Sequence, residues 1–185
     1  YWENGWRAFT NNKRPVNKPE DLKGLKIRST PNPYHIQAFK LLGMNPSPMP
    51  IAELFTALET GTFDAQEHPI NVTWSSKFYE VQKHLTVSNH VYSPLIVAMN
   101  KAKFDSLPAN YQAAILESAH DAAKYQRDLN AQNAGKVVAE LKKSGMQVIE
   151  TVDMAPFQKI VSEAIEKTFA EKNGPALLKA IAATK

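Results

Sequence analysis

The sequence contains no cysteine. This absence excludes disulfide bonds, cysteine nucleophiles and zinc–thiolate sites along the whole chain. It is compatible with an oxidising compartment without indicating one, because many proteins of reducing compartments also lack cysteine. Long apolar runs are missing as well, since no window approaches the roughly 18 consecutive apolar residues that a membrane-spanning helix needs.

Several catalytic and cofactor motifs are also absent. There is no Gly-x-Gly-x-x-Gly, P-loop, His-Glu-x-x-His or Gly-x-Ser-x-Gly sequence, and no two of the five histidines are four residues apart. The sequence therefore predicts no metal, no cofactor and no catalytic residue set. A Ser-His-Asp triad needs no local motif, so composition alone leaves it open. A small α/β hydrolase or lyase acting on an acid substrate, with His68 as base, remains an alternative.

The net charge is +4, and the lysines are scattered along the sequence. Nucleic-acid binding is not expected, because no basic stripe with interleaved aromatic residues is present. A cleft that binds a small acidic ligand explains the positive balance better.

Strand and helix patterns alternate at short intervals over the first 85 residues, which is typical of a sheet with crossover helices. The predicted strands are 1–10, 25–29, 45–49, 63–67, 85–89, 95–99 and 146–150. The predicted helices are 33–42, 51–59, 71–83 in two pieces, 108–144, 155–172 and 175–183. The fold class is therefore α/β, with a mixed sheet flanked by helices.

The predicted helix 108–144 is exceptionally long. At roughly 1.5 Å per residue it spans about 50 Å, more than the width of a small domain. Such a helix either braces two domains or forms a coiled coil, and its alanine-rich stripe without strict heptads favours the brace. A coiled-coil interaction protein built on this helix remains an alternative.

Three polar residues are predicted to lie at strand ends. Arg28 ends the strand that begins at Leu25, His68 lies at the end of the strand that begins at Phe63, and Arg7 lies at the end of the opening strand. Ligands bind outside the carboxyl ends of strands in open α/β sheets, and an arginine there can hold a carboxylate with two hydrogen bonds. His68 could donate to a ligand oxygen. Alternatively, Arg28 forms a surface salt bridge and His68 caps a helix.

Seven segments together resemble the TRAP solute-binding protein family, of the dicarboxylate-binding periplasmic type. The segments are 4–7 (NGWR), 20–28 (EDLKGLKIR), 38–43, 45–50, 53–61 (ELFTALETG), 64–69 (DAQEHP) and 77–83 (KFYEVQK). The resemblance implies two α/β lobes with a ligand cleft between them, linked by strands and clasped by a long helix. It assigns 1–92 plus 134–185 to the second lobe and 93–133 to the crossing and the incomplete first lobe.

The resemblance also implies which residues bind the ligand. Arg28 matches the family arginine that binds a carboxylate, and Arg7 matches a second arginine that assists it. His68 stands where the family usually has asparagine, and Ile51 where phenylalanine is common. The further residues expected to line the pocket are Asn71, Trp74 and Tyr92.

The function implied by the resemblance is capture of a small organic acid in the periplasm and its delivery to the membrane permease of a TRAP transporter. The acid is left open among sugar acids, keto or aromatic acids and dicarboxylates. No leader sequence precedes Tyr1, and we expect the signal peptide and most of the first lobe to lie upstream. Unpaired strands near 94–100 would favour a homodimer or a swapped assembly, so a fragment acting only as an interaction module is a further alternative.

Overall fold

The computed structural model describes residues 1–184. Seven strands are present in this part of the chain: β1 Trp2–Asn11, β2 Lys26–Ser29, β3 Asn45–Pro48, β4 Ala65–Pro69, β5 His84–Thr86, β6 Tyr92–Leu95 and β7 Gln147–Ile149. The α-helices are α1 Pro33–Leu41, α2 Leu54–Glu59, α3 Ile70–Ser75, α4 Lys101–Asp105, α5 Ala109–Lys143, α6 Ala155–Asn173 and α7 Ala176–Ala183. Short 3-10 turns cover Pro19–Leu22, Ile51–Glu53 and Phe78–Glu80.

The strands form one mixed sheet in the order β3-β2-β4-β1-β5-β7, and β6 pairs with the first half of β1. β2 runs parallel to β3 and β4, and β5 runs parallel to β7. The long strand β1 is antiparallel to β4, β5 and β6. Consequently the carboxyl end of β4, which has β2 on its other side, meets the middle of β1 at Arg7.

The sheet is covered by packed side chains on both faces. On one face, Phe9 and Ile27 pack with Phe39 of α1 and Phe157 of α6. On the other face, Ala8 and Leu85 pack with Leu141 of α5 and with Met146, and partly buried Trp74 packs against this cluster. A second cluster contains Leu54 and Phe78. Because strand side chains alternate, neighbouring residues of β1 and β4 belong to opposite faces.

The long helix α5 is exposed at its start and packs more closely from Ala123 onward. Its first turns, from Ala109 to Asp121, are almost entirely exposed, and its buried residues are Ala123 and Leu141. Gln126 donates to the backbone oxygen of Glu3 and accepts from its N–H, at 2.7 and 2.8 Å. None of the helices in residues 1–184 is long and apolar enough to cross a membrane.

Most predicted elements are confirmed to within two residues, including the long helix, and the α/β class with a mixed sheet is confirmed. The predicted strand 95–99 is wrong: the strand there is Tyr92–Leu95, and the apolar residues that follow are exposed. The strand stops because it pairs only with Trp2–Trp6 of β1, which provides no further partners. The short helix α4 was not predicted, although Asn100 caps it by accepting from the N–H of Lys103.

Candidate functional site

Arg28 lies in β2, at the carboxyl edge of the sheet, and its guanidinium is held on one side by the protein. Its Nε donates to the backbone oxygen of Met49 at 2.8 Å, and its Nη1 lies 3.3 Å from Nε2 of His68. The residue is only 5% exposed, yet it takes part in no ion pair within 4.0 Å among residues 1–184. Burial lowers the pKa of Arg28, Glu67 acts in the opposite direction, and Arg7 lowers the pKa further. A carboxylate placed against this guanidinium would offset the cost of its burial.

A hydrogen bond to Gln66, which lies two residues earlier on the same face of β4, orients the ring of His68. The Nδ1 atom of His68 is hydrogen-bonded to Oε1 of Gln66. The Nε2 of Gln66 donates to Oγ1 of Thr10 at 2.7 Å. Burial lowers the pKa of His68 to about 3, with the charge of Arg7 adding to that effect and Glu67 opposing it. His68 is therefore neutral at physiological pH.

Arg7 is already paired with a carboxylate. Its guanidinium forms a bidentate ion pair with Glu67, and Nη2 also donates to the backbone oxygen of Glu67 at 2.7 Å. His90 Nε2 lies 3.4 Å from Glu67 Oε2, while its Nδ1 is 2.7 Å from Oγ of Ser88. Burial would raise the pKa of Glu67, but hydrogen bonds and charges from His90 and Arg7 outweigh it and lower the pKa to about 2.

These contacts form two clusters on opposite faces of β4. Arg28, His68, Gln66 and Thr10 leave the sheet on one face, because Thr10 pairs with Gln66 and Ala8 with His68 in the register of β1 and β4. Arg7 and Glu67 leave on the other face, together with Phe9, whose ring stacks on that of His90 at 4.2 Å. The charges of Arg7 and Glu67 nevertheless affect the pKa values of Arg28 and His68, so the clusters are electrostatic neighbours.

The placement of Arg7 corrects one part of the sequence argument. Arg7 was expected near the end of the opening strand, but β1 continues to Asn11 and Arg7 lies inside it, opposite Pro69. It comes to the same edge as Arg28 because β1 is antiparallel to β4, so that the middle of β1 meets the carboxyl end of β4. The structure brings Arg28 and His68 together and places Arg7 beside them with its own counter-ion.

Ile51 and Asn71 flank this edge. Ile51 is 47% exposed and begins the turn that follows Met49, whose carbonyl holds Arg28. The Nδ2 of Asn71 donates to Oδ1 of Asn130 in α5, whereas Oδ1 of Asn71 is buried without a partner among residues 1–184. Asn71 also lines a cavity of about 440 Å³ between β1, α3 and α5.

The two predicted aromatic residues pack against other aromatic rings. Trp74 is half-buried and stacks on Tyr79 with ring centroids 4.8 Å apart, within the apolar cluster around Leu85. Tyr92 is 42% exposed in β6 and packs against Trp6 at 5.2 Å. Trp74 thus contributes to the core, and Tyr92 stands on the surface next to the opening strand.

Sequence reasoning missed the supporting residues. Glu67 was noted only as part of a segment, although strand alternation could have separated it from Gln66 and His68 and paired it with Arg7. No local signal identifies His90, because it lies in a loop that reaches Glu67 only through the tertiary fold. The carbonyl of Met49 is likewise invisible in a sequence pattern. Within residues 1–184, no three His, Asp or Glu side chains come together as metal ligands.

Comparison with known proteins gives a consistent picture. The model of the bacterial extracellular solute-binding protein family 7 matches residues 1–172. The chain is 50% identical over 183 residues to the 2,3-diketo-L-gulonate-binding periplasmic protein YiaO of Escherichia coli, covering 98% of this chain and 56% of that protein. The chain thus spans about half the length of the curated relatives that it matches.

Solved structures are similar over the whole chain. A TRAP periplasmic solute-binding protein of Polaromonas, bound to D-erythronate, has a TM-score of 0.94 and 41% identity, covering 100% of this chain and 60% of that one. The sugar acid binding protein DctPAm of Advenella mimigardefordensis, in complex with galactonate, has a TM-score of 0.91 and 37% identity, with 97% and 58% covered.

Proposed function

Because the chain belongs to the bacterial extracellular solute-binding protein family 7, we propose that it supplies the carboxylate-binding half of a protein that captures a small organic acid. The observation that carries the proposal is Arg28, a buried guanidinium without a carboxylate partner in residues 1–184. Two protein acceptors fix its orientation and leave Nη2 and the second N–H of Nη1 for a ligand. A bidentate arginine–carboxylate pair in a closed cleft is strong because the surrounding water has been removed.

The acid belongs to the hydroxylated monocarboxylates. Similar proteins are described with diketogulonate, erythronate and galactonate, which each carry one carboxylate and several oxygen groups. The single unpaired guanidinium at this edge fits one carboxylate, because Arg7 is neutralised by Glu67. Arg7 holds Glu67 and the end of β4 in place through this ion pair. Ile51, at the rim, would contact the carbon chain of the acid.

The lobes are divided as the resemblance implies, with 1–92 and 134–185 in one lobe and 93–133 in the crossing and the other lobe. The exposure of residues 96–121 supports this division, since nearly all of them are exposed in the described part of the chain. Closure of the lobes around the acid would complete the site. The complete protein acts in the periplasm and delivers the acid to the permease of a TRAP transporter.

The proposal includes no catalytic step. A general base needs a pKa near the working pH, whereas the pKa of His68 is lowered to about 3 by burial. Behind His68 on this face lie the amide of Gln66 and the hydroxyl of Thr10, neither of which is a general base. The enzyme alternative would be supported by turnover of a bound acid, measured by product analysis after prolonged incubation.

The proposal is tested by calorimetric titration of the intact protein, including whatever precedes Tyr1, with a panel of sugar acids and dicarboxylates. We expect a monocarboxylate sugar acid to bind, Arg28→Ala to abolish the binding, and Arg28→Lys to weaken it by at least tenfold, because lysine cannot form the bidentate pair. Arg14→Ala is the matched control, since Arg14 bonds to backbone oxygens near the opposite end of β1. Unchanged affinity in Arg28→Ala would refute the proposed site.

A further inference from the structure

The hydrogen-bond chain behind His68 determines which of its ring nitrogens carries the proton. At the far end, Nε2 of Gln82 donates to the backbone oxygen of Val81 at 3.1 Å, so its Oε1 faces Thr10 and accepts from the hydroxyl at 2.9 Å. The Thr10 oxygen then accepts from Nε2 of Gln66. This leaves Oε1 of Gln66 facing Nδ1 of His68, and an amide oxygen can only accept.

The near end of the chain requires the same assignment. Arg28 has only donors, so Nε2 of His68, which faces its Nη1, must carry the lone pair. Both ends of the chain therefore place the proton on Nδ1. A second proton, on Nε2, would point the N–H group of His68 at an N–H group of Arg28. The charged groups around the ring are Arg28 and Arg7, which disfavour protonation, and Glu67, which favours it.

The lone pair on Nε2 of His68 accepts only a weak hydrogen bond from the protein. Its distance of 3.3 Å to Nη1 of Arg28 exceeds the usual length of about 2.9–3.0 Å for a nitrogen donor. His68 has no remaining donor, because its N–H group is bound to Gln66. Any ligand group that reaches His68 beside the carboxylate on Arg28 thus meets a lone pair.

We infer that His68 is a specificity-determining residue that selects acids with a hydroxyl group on the carbon next to the carboxylate. Such a hydroxyl donates to Nε2 while the carboxylate binds Arg28. A methylene at that carbon leaves Nε2 with only its long contact of 3.3 Å to Nη1 of Arg28, which is unfavourable in a closed site. The inference rests on the proposed function, because it presupposes a carboxylate on Arg28.

Two matched acids test the inference in the intact protein by calorimetric titration: D-erythronate and its 2-deoxy analogue, 3,4-dihydroxybutanoate. We expect D-erythronate to bind about tenfold more tightly, the size of one net hydrogen bond. In His68→Leu the preference should fall below about threefold, with both acids still requiring Arg28. His120→Leu, a change at an exposed histidine of α5, should keep the preference.

Failure of the inference is distinguishable from failure of the proposed function. Equal affinities in the unmodified protein, a preference retained in His68→Leu, or no binding of either acid would overturn the role of His68. The proposed function fails only if no acid of the wider panel depends on Arg28. An independent readout is the nitrogen NMR spectrum of His68, where we expect a neutral ring with the proton on Nδ1. A proton on Nε2 would also overturn the inference, and Gln66→Leu should shift the ring toward a mixture of tautomers.

Discussion

At the scale of single residues, the most consequential contact is the buried pair of Arg7 and Glu67. Both side chains are at most 5% exposed, and each compensates the desolvation of the other. The pair does not imply large net stability, because burying two charges is itself unfavourable. Removing one partner is different, since it leaves the other charge buried and unpaired.

We therefore predict that Glu67→Gln destabilises the fold by about 3–5 kcal/mol, the range for breaking a buried ion pair on one side. The glutamine keeps the shape of the side chain but leaves Arg7 without a counter-charge. Urea unfolding monitored by tryptophan fluorescence measures the change. Asp105→Asn is the control, because the pair of Lys101 and Asp105 is exposed and should contribute less than about 1 kcal/mol. Equal effects of the two substitutions would contradict the prediction.

His68 predicts a specific pH dependence of stability. Its pKa is lowered from 6.5 to about 3 in the folded state, so the unfolded chain binds a proton more readily between these values. The contribution of His68 to the free energy of unfolding is therefore fully present above about pH 6.5 and decreases as the pH falls toward 3. The decrease is at most about 1.4 kcal/mol per pH unit for this one group.

The measurement is the free energy of unfolding between about pH 7 and pH 5 for the unmodified chain and for His68→Asn. We expect a shallower decrease in the variant. His35 and His84 also have lowered pKa values, caused first by burial, and they contribute a slope that both proteins share. Parallel curves would show that His68 does not resist protonation.

At the scale of secondary structure, the sequence predicts most elements because their signals are local. Pro33 and Gly43 bracket α1, and the apolar stripe of α5 continues over ten turns without a break. The site is predicted less completely. Arg28 and His68 follow from their positions at strand ends, whereas Glu67 and His90 depend on the antiparallel placement of β1 and on a loop, which are consequences of tertiary packing. The apolar pattern at 95–99 predicted a strand wrongly, because these residues are exposed and only Leu95 belongs to β6.

The bulge in β1 provides a prediction at this scale. The pairing of β1 with β6 shifts at Gly5, whose φ of +118° is unfavourable for any residue with a Cβ. A Cβ there would also lie 3.4 Å from Pro69 and Asn130, next to the predicted site. We expect Gly5→Ala to destabilise the fold by about 1–3 kcal/mol.

Gly135→Ala is the matched control for the bulge. Gly135 lies inside α5, its φ is not positive, and a Cβ would meet nothing within 4 Å. Alanine should therefore stabilise the helix by up to about 1 kcal/mol. The unfolding midpoints of the two variants should move in opposite directions, and destabilisation of similar size in both would contradict the role assigned to Gly5.

At the scale of the whole molecule, exposed apolar side chains concentrate at one end of the structure, around β6 and the first half of α5. The side chains of Ile96 and Val97 are 75% and 60% exposed, and Leu116 in the first half of α5 is 57% exposed. In residues 1–184, β6 pairs only with β1, so its other edge offers free backbone groups. Surface of this kind favours association with another protein surface.

We predict that the 185-residue chain by itself self-associates through this end, whereas the intact protein, in which 93–133 would pack against the other lobe, stays monomeric. Sedimentation velocity over a range of concentrations measures the association. Because the contact is apolar, placing charges in it by Ile96→Lys and Val97→Lys should restore a monomer. Leu177→Lys is the control, since Leu177 is 55% exposed on α7, outside this end. A chain that sediments as a monomer at all concentrations would contradict the prediction, and so would a control that dissociates the assembly equally well.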